Sequence, residues 1–408
     1  MSLKLLAPVG NFEMLAAAIK NGADEIYFGI SGISMRQRPR NFQISEMAKI
    51  KKICQKSNCK PILAINSLIF ENEITKVEKI LSSAKKAGID AIIAADFAVI
   101  NKAIEKKMEI HISTQFSVAN SESFAFFAKL PGVNRIVLAR ELDLLQISKI
   151  AEFRDKYFPN VEIETFCHGA MCVSVSGRCF LSEFLWQKSA NRGECLQPCR
   201  RKYKIFDTDS GSELLVGENY LLSPRDLCSI SFLEKLVAAG ISVFKIEGRA
   251  RSIEYVASTT KIYKNILEKI SLGKKILASQ KKIAEKKLQC VFNRGFSPGF
   301  FLGQPEKWQT KKYGSVATEK KFFIGVVTRF FKRIKVIEIK IQNHELKIGD
   351  EIFLQGSKIG SFRVKIKSIE MENCSKKIGK KGEIVGIFCS PVVEKACKND
   401  KIFLIATE

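Results

Sequence analysis

Eight short and almost uninterrupted apolar runs set the frame for this 408-residue chain: Lys4–Val9, Glu25–Ile30, Pro61–Asn66, Ala91–Asp96, Glu109–Thr114, Arg135–Arg140, Val161–Cys167 and Val243–Gly248. A run without polar alternation suits a strand buried on both faces. Helix-length segments such as Phe12–Asn21, Ile44–Gln55, Glu73–Ala87 and Leu142–Tyr157 lie between most of them, with stops at Asn21-Gly22 and Ala87-Gly88. Strand followed by helix, repeated, builds a parallel sheet, and eight strands are enough to close a barrel. The expected fold is α/β, a (β/α)8 TIM-like barrel; a doubly wound open sheet is the alternative.

In such a barrel the chemistry sits at the C-terminal ends of the strands. Those ends carry Gln115, Arg140, His168 and Glu247-Gly248-Arg249 among other polar or glycine positions. A long loop, 167–203, leaves the same rim after the seventh strand. The stretch Glu164–Tyr203 holds five of the twelve cysteines and one of only three histidines. Cys172, Cys179, Cys195 and Cys199 are close enough along it to converge on one centre, and four thiolates suit zinc or an iron–sulfur cluster. Their spacing fits neither the usual zinc-ribbon pairs nor a ferredoxin run, so it does not choose between the two.

Beyond Cys199, Lys202–Thr208 and Ser212–Leu222 flank Asp209-Ser210-Gly211 and read as a hairpin. Ser223-Pro224 then opens an expected helix, with Leu227–Ala239 apolar at helical spacing and Cys228 as a buried thiol on it. A long helix, Ser252–Leu272, and a Lys-rich one, Lys274–Lys287, precede a Gly- and Phe-rich ordered loop at Phe292–Gly303. From Lys321 the pattern changes to period-two runs separated by turns, which predicts a small closed β-barrel of about 85 residues. The domains are therefore 1–273, the barrel with its cysteine loop; 274–319, a connector; and 320–408, a basic all-β barrel.

The formal charge is +25, and from Lys261 onward 32 Lys or Arg face only 14 Asp or Glu. Such an excess reflects a lysine-favouring genome or a surface that binds a polyanion by releasing its counterions. No run is long and apolar enough to span a membrane, and the N-terminus lacks the apolar core of a signal peptide. The expectation is a cytoplasmic protein, where clustered thiols bind metal more often than they form disulfides.

Several stretches are similar to those of one known family: Ala7-Pro8-Val9-Gly10-Asn11-Phe12, Ile112-Ser113-Thr114-Gln115, His168-Gly169-Ala170 before Cys172, and Ser176-Gly177-Arg178-Cys179. Arg192-Gly193-Glu194-Cys195, Pro198-Cys199-Arg200, Lys245-Ile246-Glu247-Gly248-Arg249 and Phe292-Asn293-Arg294-Gly295-Phe296 complete the set. Through them the chain resembles the collagenase-like peptidases of unknown catalytic type, and within that family its tRNA hydroxylation members. The resemblance implies a 4Fe-4S cluster on Cys172, Cys179, Cys195 and Cys199, prephenate as co-substrate, and 5-hydroxylation of the wobble uridine of tRNA without molecular oxygen. It also implies a possible partner protein of the same family. Cys167 and Cys228 are reserve ligands.

His168, Glu247 and Arg249 are the candidate catalytic groups. Gln115, Arg140 and Arg178 are candidates for substrate binding, because guanidinium forks match carboxylates. Two other classes stay in view, a peptidase carrying zinc and a non-catalytic RNA-binding partner. The peptidase lacks motif support, since there is no HExxH, no G-x-S-x-G, and Ser174 and Ser176 near His168 do not make a dyad by chain proximity alone.

Overall fold

The structure, a computed structural model, describes residues 3–34, 41–214, 222–305, 309–372, 374–390 and 396–407. Seven strands and six helices alternate first: β1 (Lys4–Pro8), α1 (Phe12–Lys20), β2 (Glu25–Gly29), α2 (Met47–Gln55), β3 (Lys60–Ile65), α3 (Ile74–Lys86), β4 (Ala91–Ala94), α4 (Phe97–Glu105), β5 (Glu109–Ile112), α5 (Ser121–Ala128), β6 (Val133–Val137), α6 (Leu144–Tyr157) and β7 (Glu162–Gly169). Side-chain caps start several helices: Asn11, Asp96, Asn120 and Asp143 each accept a backbone N–H of the first turn.

After β7 come α7 (Leu181–Trp186), the short pair β8 (Ile205–Phe206) and β9 (Glu213–Leu214), β10 (Asp226–Cys228), α8 (Leu233–Ala238) and β11 (Val243–Ile246). β11 pairs in parallel with both β1 and β7, which closes an eight-stranded barrel and excludes the open sheet. The β8–β9 pair is the expected hairpin, shortened; the rest of its second strand, 215–221, lies outside the described residues.

One expectation is corrected here. Asp226–Cys228 is a strand, antiparallel to the end of β7 through Leu227–Gly169 and Cys228–His168, and helix begins only at Leu233. The caps that favoured a helix have other partners. Ser223 Oγ accepts from the Arg200 guanidinium, and Asp226 faces Arg251 and Arg294. The expected burial of the Cys228 thiol holds.

The lumen is apolar in its middle, around Leu6, Tyr27, Ile62, Ala64 and Ile93. Toward the N-terminal mouth it is filled by charge: Arg135 Nη2 lies 2.8 Å from Glu25 Oε1, and Lys245 Nζ 2.8 Å from Glu164 Oε1. α9 (Ile253–Ser271) completes the helical layer, α10 (Ala278–Gln289) packs beside it, and β12 (Phe296–Ser297) pairs with β10 inside the predicted ordered loop.

The remaining strands form the second module: β13 (Glu319–Phe331), β14 (Val336–Ile341), β15 (Leu346–Lys347), β16 (Glu351–Gly356), β17 (Gly360–Met371), β18 (Cys374–Lys376), β19 (Ile378–Gly379), β20 (Ile384–Ser390) and β21 (Lys401–Thr407). Six of them run in the antiparallel order β16-β21-β13-β14-β20-β17, and a β16–β17 pairing closes the ring. Its own core is rich in Ile and Val. β17 packs on α1 and α9, and Glu254 of α9 receives both Lys321 Nζ at 2.9 Å and Gln355 Nε2 at 2.9 Å. Among the described residues no helix is long and apolar enough to cross a membrane.

Candidate metal centre at the barrel rim

β7 delivers the chain to the C-terminal rim at Gly169, whose φ of +108° is open to glycine. A Cβ there would stand 2.5 Å from the Glu247 carbonyl oxygen, so the end of β7 lies against the start of the β11 loop. Cys172, the first of the four cysteines, follows three residues later, and the loop is held shut by its own side chains. Arg200, buried next to Cys199, donates from Nη2 to the Met171 carbonyl at 2.6 Å, next to Cys172, and from Nη1 to Ser223 Oγ at 3.1 Å and the Pro224 carbonyl at 2.6 Å. The backbone N–H of Leu196 donates to Ser182 Oγ at 3.0 Å, tying α7 to the segment of Cys195.

These bonds bring the four cysteines to one surface. Cys172 is exposed; Cys179, Cys195 and Cys199 are half-buried. Burial pushes the Cys199 thiol up to about 11, and the nearby Cys172, Cys195 and Cys179 push the same way, against the Arg200 charge. Each of the other three is thus close enough to be felt electrostatically. Among the described residues no three such side chains already surround a common point as a ligand set. Cys172 Sγ lies 3.2 Å from Ser174 Oγ, and Cys195 Sγ accepts from the Gln197 N–H at 3.4 Å. The donor set fits a thiophilic centre by its chemistry, since four soft sulfurs on one loop suit iron–sulfur or zinc, and ligation would require the thiolate form that burial opposes at Cys199.

The reserve thiols are different. Cys167 and Cys228 are buried beneath the rim; burial holds Cys167 well above the ordinary thiol range and Cys228 at about 12. Cys167 Sγ donates to the Lys245 carbonyl at 3.4 Å.

Three of the expected substrate contacts converge on the loop. Arg178 donates from Nη2 to the Gln115 carbonyl at 3.2 Å, and Gln115 Oε1 accepts from Ser113 Oγ at 3.1 Å. Arg140 donates to the Ala170 carbonyl at 3.1 Å with its guanidinium 4.6 Å from the Phe166 ring centroid. Next to the root of the loop, where β11 ends, Glu247 accepts from the Tyr27 hydroxyl at 3.2 Å, and buried Arg249 donates to Ser34 Oγ at 2.7 Å beside the same tyrosine ring.

His168 lies under the rim. It is walled by Tyr255, Tyr263 and Phe296, with Nδ1 3.3 Å from the Tyr263 hydroxyl. Tyr263 also donates to the Cys167 carbonyl at 2.9 Å, so β7 is pinned to α9 at the point where the loop departs.

A charged cluster behind the loop escaped the sequence reading. Buried Asp226 faces Arg294 at 3.4 Å and Arg251 at 3.6 Å, Arg294 Nη2 donates to Gln197 Oε1 at 3.4 Å, and Arg251 lies 3.9 Å over the Phe292 ring. Burial and the like charge of Arg200 push the Arg294 guanidinium down to about 10. The surplus of guanidinium over carboxylate next to Cys199 makes this wall of the site electropositive.

Comparison with known proteins gives a consistent family. Residues 10–311 match the model of peptidase family U32. The protein named "Collagenase" of Porphyromonas gingivalis is 41% identical over 410 residues, covering 98% of this chain and 97% of its own. The "tRNA hydroxylation protein P1" of Bacillus subtilis is 33% identical over 373 residues, covering 90% and 86%. The "23S rRNA 5-hydroxycytidine C2501 synthase" of Escherichia coli is 34% identical over 268 residues, covering 66% of this chain and 40% of its own.

Proposed function

This chain belongs to peptidase family U32, and from that premise we propose that it is an RNA-modifying enzyme that hydroxylates the wobble uridine of tRNA at C5, without molecular oxygen, with prephenate as the oxygen source. The observation that carries the reading is the four-thiol loop at the C-terminal mouth of the barrel, flanked by guanidinium groups. Similarity to a tRNA hydroxylation protein and to an rRNA hydroxycytidine synthase supports the RNA substrate.

Cys172, Cys179, Cys195 and Cys199 would hold a 4Fe-4S cluster, which supplies redox chemistry when bound. The residues around it do the positioning. Arg140 and Arg178 present cationic forks on the loop side of the mouth, suited to the two carboxylates of prephenate. Arg251 and Arg294 keep that wall positive. Glu247, oriented by Tyr27, is placed to hold a proton at its carboxylate beside the root of the loop, and Arg249 braces the neighbouring turn. The basic second barrel faces the RNA backbone.

The test is mass analysis of tRNA nucleosides from cells lacking this protein and complemented with it. Wild type restores a uridine species heavier by one oxygen, and Cys195→Ala and Arg178→Ala do not. No oxygen-bearing uridine in the wild-type complement overturns the proposal.

The similarity to a protein named "Collagenase" favours a second reading, proteolysis. It finds little to work with at the rim. His168 is enclosed, His111 is buried at the opposite mouth, and His344 lies on the second barrel. Gelatin cleavage that survives a Cys172→Ala, Cys195→Ala double substitution would establish it.

A further inference from the structure

We propose that α7 and the residue that leads into it carry a stacking platform for an unpaired nucleobase, formed by Phe180 and Phe184, beside the thiols. This deepens the RNA-modification reading and rests on it. α7 sits between Cys179 and Cys195, and its inner side is fixed: Ser182 is buried and bonded to the Leu196 N–H, and Gln187 closes the helix in a left-handed conformation at φ +53°. Its outer side is apolar and open. Phe184 is 81% exposed, Phe180 60% and Leu185 50%. Burying a phenylalanine is favourable, so two neighbouring open rings mark a contact surface rather than a folding requirement. The rings stand 5.9 Å apart and tilted by 41°, so neither covers the other's face.

The surroundings select the occupant. From Cys172 to Lys204 the loop carries seven Lys or Arg and two Glu; Arg200 is buried and Arg192 pairs with Glu73, and the others are Arg178, Lys188, Arg201, Lys202 and Lys204. One of the two, Glu194, lies 4.0 Å from Lys188. Arg201 lies 4.5 Å over the ring of Trp186, two residues beyond Phe184 and on another face of the same short helix. Open π-faces on a loop with this excess of positive charge fit a chain of bases joined by phosphates, and single-stranded nucleic acid is bound in this way. An apolar protein partner would gain nothing from the cations. The position also matters. A base drawn into the barrel mouth for chemistry leaves its neighbours unstacked, and an aromatic shelf at that mouth replaces the lost stacking for one of them.

The experiment measures binding of a fluorescein-labelled tRNA anticodon stem-loop, and of the same sequence closed into a continuous duplex, to the full chain. Phe184→Ala should weaken stem-loop binding about tenfold or more, leave duplex binding unchanged, and lower tRNA modification in parallel; Phe184→Trp should restore both. Phe184 is exposed, so unchanged thermal unfolding is expected for both variants. Wild-type affinity for the stem-loop in Phe184→Ala, with modification intact, overturns the platform and leaves the RNA reading standing. A dimer in sedimentation that Phe184→Ala dissociates, again with stem-loop binding intact, assigns the surface to protein contact and overturns it too. Failure of the wild type to bind or modify RNA removes the platform together with the reading beneath it.

Discussion

His168 is 1% exposed, and that burial, with the Arg251 charge, holds its imidazole down to about 3. An unfolded histidine titrates near 6.5. Between those values the unfolded chain binds a proton that the folded chain refuses, so stability is full above about pH 6.5 and falls as pH drops toward 3, by about 1.4 kcal/mol per unit for one such group. His111, held well below its usual range by burial and then by Arg135, adds to the slope. Urea titrations at pH 7 and pH 5 should therefore show a loss in the wild type that is smaller in His168→Phe; equal losses would contradict this assignment. For the same reason the pH–rate profile should lack a limb near 6.5 from His168, whose contribution at neutral pH is that of the neutral imidazole. The cysteines were legible as a set because they cluster in the chain. The Arg200, Asp226, Arg251 and Arg294 group was not, because its members come from separate segments and meet only after the barrel closes. His168 read as a rim residue because nothing local announces that β10 pairs over it.

At the scale of elements, two features bear most on the barrel's integrity. Arg135 is buried among Glu25, Glu162 and Glu164, and removing one partner of a buried ionic group leaves charge uncompensated. Arg135→Met should cost about 3–5 kcal/mol in denaturant unfolding, and a cost under about 1 kcal/mol would show that the carboxylates find water instead. Gly169→Ala combines a positive φ with a close approach to the Glu247 backbone, so it should displace the loop root and lower both stability and metal retention. Metal retained at wild-type level in a folded Gly169→Ala protein would contradict the coupling of β7 to the cysteine loop. The alternation of β1–β7 with helices was readable from apolar runs and caps. The strand at Asp226–Cys228 was not, since Ser223-Pro224 carries a helix-start signal whose side-chain partner turned out to be Arg200.

Across the whole molecule, two closed barrels share one chain, joined through α1, α9 and β17. The count of eight apolar runs pointed to closure, and the change to period-two runs pointed to the second barrel; only the β11–β7 pairing decides between a barrel and an open sheet. On the proposed RNA-modifying role, the charge of +25 would make RNA affinity depend on counterion release. Binding of tRNA should fall at least about tenfold between about 50 and 200 mM salt, and a flat dependence would contradict the electrostatic part of the account. The claim on which the rest depends is the thiolate-held cluster. Its most direct test is iron, sulfide and zinc content with an absorption spectrum, on full-length protein purified without air. The account predicts about four irons and four sulfides per chain with broad absorption near about 400 nm, lost in the Cys172→Ala, Cys195→Ala double variant. One zinc per chain and no iron would contradict it.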